Sequence, residues 1–173
     1  MRLTTMIILL GICSCTAFAQ IAKPAALTVG VRQYTDHSAD TKSPFGEGDL
    51  SYLLAYEYHE GGAFWQLGLS YAPYASATSM VAVTESVTTP QLRLVFQESM
   101  LLLGVGVLKH YIMQIDGNKW SDLYWEIQAG LYASVSKSLE VRGMAYYTFS
   151  DWSEIDNFDT SQLELGVEFA YRF

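Results

Sequence analysis

The stretch Leu163-Glu164-Leu165-Gly166-Val167-Glu168-Phe169-Ala170-Tyr171-Arg172-Phe173 decides the fold. Its odd positions are all large and apolar, while its even positions are charged or small. Strict alternation is the period of a β-strand, whose successive side chains point to opposite faces. The sequence then stops on an aromatic residue, with neither a turn nor a polar tail behind it. A water-soluble sheet gains little from such an ending, whereas a strand with one face in lipid can use every one of those apolar side chains.

The opposite end fits export. Arg2 supplies a short positive region, Met6 to Ile12 is an apolar run, and Ala17-Phe18-Ala19 forms an A-x-A cleavage site before Gln20. The apolar run is shorter than the ~20 residues a spanning helix needs. Ile12-Cys13-Ser14-Cys15 departs from a lipobox at its middle position, so cleavage after Ala19 is expected rather than lipidation. Residues 1–19 are thus expected to be a signal peptide and residues 20–173 a single barrel domain. Cys13 and Cys15 both lie in the signal, which leaves the mature chain without a disulfide or a thiolate site. The net charge of −8 argues against nucleic acid as a partner, since phosphates are neutralised by basic patches.

Alternation recurs along the mature chain. It predicts strands at about 25–34, 50–58, 63–72, 90–98, 101–112, 123–133, 139–149 and 162–173, each near the roughly 9–11 residues of a tilted transmembrane strand. Connections at 59–62, 99–100 and 134–138 are short, and those at 35–49, 73–89, 113–122 and 150–161 are expected to be long, polar extracellular loops. The reading is a closed eight-stranded antiparallel up-and-down transmembrane β-barrel, with both chain ends on the short-turn side.

The two faces of these strands differ in chemistry. One carries aliphatic residues such as Leu27, Val29, Leu54, Leu67, Leu92, Leu103, Val105, Leu131 and Val167, with Tyr52, Tyr58, Trp65, Tyr71, Phe96, Tyr111, Trp125, Tyr147, Phe149 and Tyr171 toward the strand ends. A hydrocarbon slab between two polar interfaces selects that arrangement. The other face carries Arg32, Arg93, Arg142 and Arg172 with Glu57, Glu126, Glu140, Glu164 and Glu168, interspersed with Gly30, Gly68, Gly104, Gly106, Gly130 and Gly166. Four Arg against five Glu nearly balance, as an enclosed interior charge network requires. Arg suits such a network because its planar fork matches carboxylates and is weakly hydrated. A soluble lipocalin-like barrel would reverse the faces, with charges outside and the apolar lining inside. A water-facing sheet usually carries Lys and avoids repeated Gly, and the polar face here does the reverse.

Phe173 behind alternating apolar residues resembles the last strand of bacterial outer-membrane β-barrels, and the whole mature chain is similar to the small eight-stranded kind, of the OmpX and OmpA transmembrane-domain type. The resemblance implies location in the cell outer membrane after export through the periplasm. It also implies that Phe169, Tyr171 and Phe173 form the signal read by the outer-membrane assembly machinery, and that outer-membrane lipids and lipopolysaccharide are the surroundings of a monomer. No peptidoglycan-binding domain is expected behind the barrel, a departure from full-length OmpA.

Some small barrels of this kind modify lipid A, which gives the histidines a possible catalytic meaning. His110 is expected to point inward near the outer end of its strand, while His37 and His59 are expected in solvated connections. A Ser–His nucleophile needs an orienting acid, and neither a local His-x-Ser spacing nor an N-terminal amphipathic helix is present. His110 is read as structural, and the chain as not an enzyme. No cofactor or metal site is expected, and Asp116-Gly117-Asn118 reads as a turn rather than a calcium loop. The expected function is that of a non-enzymatic outer-membrane protein whose acidic loops serve envelope integrity or surface interaction. The alternatives are a lipid A- or phospholipid-modifying enzyme around His110, and a narrow porin-like channel.

Overall fold

The computed structural model describes residues 23–35, 43–76, 84–158 and 160–173. The expected signal peptide, His37, Asp36, Asp40, Lys42 and Asp159 lie outside the described residues. Eight strands form one closed antiparallel sheet: β1 Ala25–Gln33, β2 Leu50–Glu60, β3 Ala63–Ala72, β4 Thr84–Glu98, β5 Leu101–Gln114, β6 Lys119–Ser134, β7 Leu139–Phe149 and β8 Glu164–Arg172. Each strand pairs with its neighbours in sequence, and β1 closes the ring on β8 through Ala26 opposite Arg172 and Gln33 opposite Leu165. Closure leaves no edge strand in the ring, which is the condition for a sheet to cross hydrocarbon.

The register puts the apolar face outside. Along β2 exposure alternates without a break, with Tyr52, Leu54, Tyr56 and Tyr58 out and Ser51, Leu53, Ala55, Glu57 and His59 in. Across the wall, Leu54 lies opposite Val29 and Leu69, and Val105 lies opposite Leu94 and Ile127. Leu67 keeps 65 % of its surface exposed while Glu57 keeps 0 %. That inversion of a soluble core excludes the lipocalin-like alternative, because water would not tolerate such a wall and lipid requires it.

Two hairpins at one end are as tight as two residues, Gly61-Gly62 and Ser99-Met100, with Gly61 at φ 61° and Ser99 at φ 55° in the left-handed conformation that short hairpins require. Four residues, 135–138, join β6 to β7 at the same end. The other end departs from expectation in two places. Residues 113–122 are not a long loop: β5 and β6 run on to a four-residue connection at 115–118, closed by Gly117 N–H donating to the Gln114 carbonyl at 3.2 Å. This agrees with the turn reading of Asp116-Gly117-Asn118, with Gly117 at φ 134°. Strand β4 likewise begins at Thr84, six residues before the expected start, and Thr84 bridges to Ala75. The β4, β5 and β6 strands therefore stand taller than the rest, at 15, 14 and 16 residues against 9 for β1 and β8.

Candidate functional site

The interior is a single connected charge network. Arg32 pairs with Glu164 and, at 2.6 Å, with Glu126. Glu126 meets Arg93 Nε at 2.8 Å, and Arg93 reaches Glu168 at 3.3 Å. Glu168 lies 3.7 Å from Arg142, which forks onto Glu57 at 2.6 and 2.9 Å and onto Glu140 at 3.1 Å. Glu140 then meets Arg172 at 2.8 Å. The four Arg and five Glu of the inward face thus belong to one network, whose path runs from the loop end at Arg32 to the short-turn end at Arg172, with Glu164 and Glu57 branching from Arg32 and Arg142. The fork of Arg142 on Glu57 supplies two parallel charge-assisted bonds, one to each carboxylate oxygen.

Neutral groups complete the coordination. Glu57 also accepts from Thr28 Oγ1 at 2.6 Å and Gln66 Nε2 at 2.9 Å, and its second oxygen lies 2.9 Å from His59 Nε2. Gln66 Oε1 accepts from Arg93 at 2.8 Å, and the Tyr146 hydroxyl donates to Glu168 at 2.7 Å. The Tyr146 ring is held between two guanidinium groups, Arg32 at 4.3 Å and Arg93 at 4.9 Å from its centroid. Glycines make the room these side chains occupy: a Cβ on Gly106 would stand 2.9 Å from Arg93 Cγ, and one on Gly130 would stand 2.6 Å from the Gly143 carbonyl.

Two apolar clusters pack against the charges. Toward the short-turn end, Phe64, Val95, Leu102, Met144 and Tyr146 pack together, with Arg142 over the Phe64 ring at 4.7 Å. At the loop end, Phe45 folds into the mouth and stacks on Tyr34 at 3.7 Å, joined by Ala72, Val87 and Ile112. Sequence reasoning missed both clusters. Their signal was strand parity: Phe64 shares the face of Gln66, and Leu102 that of Gly104 and Gly106.

Two residues expected in solvent are buried. His59 remains in β2, because the hairpin is only two residues long, and it stacks on Phe64 at 4.6 Å. Asp49, expected among solvated loop acids, accepts from the Gly46 and Ser76 amides at 2.8 and 2.7 Å and from Ser76 Oγ at 2.8 Å. It clamps the β1–β2 connection to the start of the β3–β4 connection. His110 is also buried and faces inward, with Nδ1 2.8 Å from Thr89 Oγ1 and with Phe45 and Tyr124 around its ring. Together with Ser43, Tyr34 and Arg32, these residues line a small cavity beneath the Phe45 plug. Among the described residues, no cluster of His, Cys, Asp or Glu is arranged to hold a metal ion.

On the outer wall, Phe169, Tyr171 and Phe173 are exposed, each about half or more. Lys109 lies on the same side, its ammonium 5.7 Å from the centre of the Trp120 ring. Tyr147 and Phe149 also have outward parity but are covered, because the β7–β8 connection folds back over them.

A closed wall, an apolar exterior and a filled, charge-paired interior define a small transmembrane β-barrel. No protein-family model matches the chain, and no curated protein matches it in sequence. Its fold is shared with solved small outer-membrane barrels. Neisserial surface protein A is similar at a TM-score of 0.56 and 7 % identity, over 86 % of this chain and 96 % of that one. The N-terminal β-barrel domain of Pseudomonas aeruginosa OprF is similar at 0.51 and 12 % identity, over 87 % and 98 %. A de novo designed transmembrane β-barrel is similar at 0.51 and 12 % identity, over 86 % and 94 %. A designed protein among these neighbours illustrates that the fold carries no particular role.

Proposed function

We propose that this chain is a non-enzymatic, non-conducting monomer of the bacterial outer membrane that serves envelope integrity or surface contact through its loop end. The observation that carries the reading is the unbroken path of ion pairs from Arg32 to Arg172, capped at the loop end by Phe45 on Tyr34. An eight-stranded barrel is just wide enough for side chains to fill it, and here they do so with paired charges that a passing ion would have to displace. Outer-membrane lipids and lipopolysaccharide are its proposed surroundings, supported by the apolar wall and by exposed acids at the loop end such as Asp116 and Asp122. The outward-facing run Phe169, Tyr171 and Phe173 is the proposed signal for the assembly machinery. Replacing Phe173 by Ala should lower the assembled fraction in cells while leaving refolding in detergent unchanged.

Planar-bilayer recording tests the sealed interior: no stable single-channel steps are expected, and large, well-defined steps would establish a porin instead. The enzyme reading draws on one contact, His110 Nδ1 beside Thr89 Oγ1 at 2.8 Å. Mass spectrometry of lipid A from cells with and without the protein separates the two. Identical lipid A is expected, whereas an acyl-chain change abolished by His110→Ala would make this an enzyme.

A further inference from the structure

The β7–β8 connection does not behave as a loop reaching into water. Tyr147 and Phe149 have outward parity on β7, opposite Ile127 and Trp125, yet they are only 5 % and 1 % exposed. The 3₁₀ stretch Trp152–Asn157 and the residue after it cover them. Trp152 lies 5.2 Å from both Trp125 and Phe149, and Phe158 lies 4.8 Å from Tyr147, ring centre to ring centre. The stretch is fixed at its start by Asp151, whose carboxylate accepts from the Ser153 amide at 2.8 Å.

We propose that this connection is a membrane-interface element, with Trp152 and Phe158 resting in the headgroup–acyl boundary of the leaflet at the loop end. The two rings each use one side to cover the barrel wall and leave 48 % and 51 % of their surface open. They stand on the wall that faces lipid, so lipid is what their open surface meets. Depth follows from two opposing requirements. A short 3₁₀ stretch has terminal amides and carbonyls that hydrocarbon cannot satisfy. Half-open Trp and Phe rings on a lipid-facing wall gain from leaving bulk water, and Trp in particular concentrates where an apolar ring and a polar tip can both be accommodated. The boundary meets both. It is also continuous with the belt on the neighbouring wall, where Trp120 packs on Tyr111 at 4.9 Å above Trp125.

The inference rests on insertion of the barrel, so its test carries an internal reference. The full chain is refolded into phosphatidylcholine vesicles in two single-tryptophan forms. One retains Trp152 (Trp65→Phe, Trp120→Phe, Trp125→Phe), and the other retains Trp65 (Trp120→Phe, Trp125→Phe, Trp152→Phe). Each is quenched with lipids brominated near the carbonyl, with lipids brominated near the chain end, and with aqueous acrylamide. Trp152 should emit blue-shifted from free tryptophan, lose most intensity to the carbonyl-proximal bromines, less to the distal ones, and little to acrylamide. Full acrylamide quenching of Trp152 while Trp65 is quenched by bromolipid would overturn the proposal and leave the barrel standing. Quenching of neither tryptophan by bromolipid would overturn both. Protection of Trp152 from every quencher that disappears on diluting the protein in lipid would assign the patch to a second copy of the chain and also overturn it. Should a triple variant not fold, Trp152→Phe alone should remove a bromolipid-quenchable component from the wild-type emission; an unchanged component would contradict the proposal.

Discussion

The outer wall and the interior of this barrel are built from the same strands yet obey opposite rules. Outside, Leu67, Leu54 and Val105 are interchangeable in kind, because lipid asks only for apolar surface at the correct depth. Inside, Glu57 is held by Thr28, Gln66, His59 and both forks of Arg142, and no other side chain meets all of those donors. The exterior is a composition, and the interior is a constellation. Substitution tolerance should differ accordingly.

The largest effect is expected where one charge of the constellation is orphaned. Removing one partner of a buried ion pair costs about 3–5 kcal/mol. Glu57→Ala should therefore lower the stability of the refolded barrel by about that amount in urea titrations in lipid vesicles. Replacing Glu57 and Arg142 together by apolar residues of similar volume should recover most of the loss. A double variant worse than the sum of the singles would mean that the pair is not the unit of stability.

A charge placed on the outer wall comes next. Leu54→Arg puts a guanidinium on the lipid side between Val29 and Leu69, and a cation at the bilayer midplane costs about 2–4 kcal/mol. Leu54→Val should be nearly silent in the same titration. Equal effects of the two substitutions would show that this face does not meet hydrocarbon. Third is crowding: Gly106→Val drives a side chain into Arg93 and should cost about 1–3 kcal/mol, the range for overpacking. Smallest is the exposed connection beyond both regions. Asp116→Asn should stay within about 0.5 kcal/mol, as surface substitutions usually do.

The contrast also governs what was legible in the sequence. Lipid imposes alternation on every residue it touches, so strands such as β2 and β8 could be read almost to their ends. The signal stops where the bilayer stops. At the start of β6, Lys119, Trp120 and Asp122 are all exposed, so neither face is selected for apolarity and this part of the strand passes for a loop. The inward charges were legible as a set, because Arg, Glu and Gly recurring on one strand face fit an enclosed interior far better than a water-facing sheet. Their pairing was not, since it depends on barrel tilt: Arg32 meets Glu126 and Glu164 from strands far apart in sequence. The packing of Trp152 and Phe158 on β7 was invisible for a different reason. Two aromatics in a polar connection do not reveal which wall they will cover.

If this apolar exterior exists to meet lipid, folding must depend on amphiphile. The most direct measurement is migration on a denaturing gel, with and without heating, after refolding into detergent or vesicles. A compact, heat-modifiable species that forms only when amphiphile is present is the expected result. A monomer that folds and stays soluble in buffer without any amphiphile would contradict it.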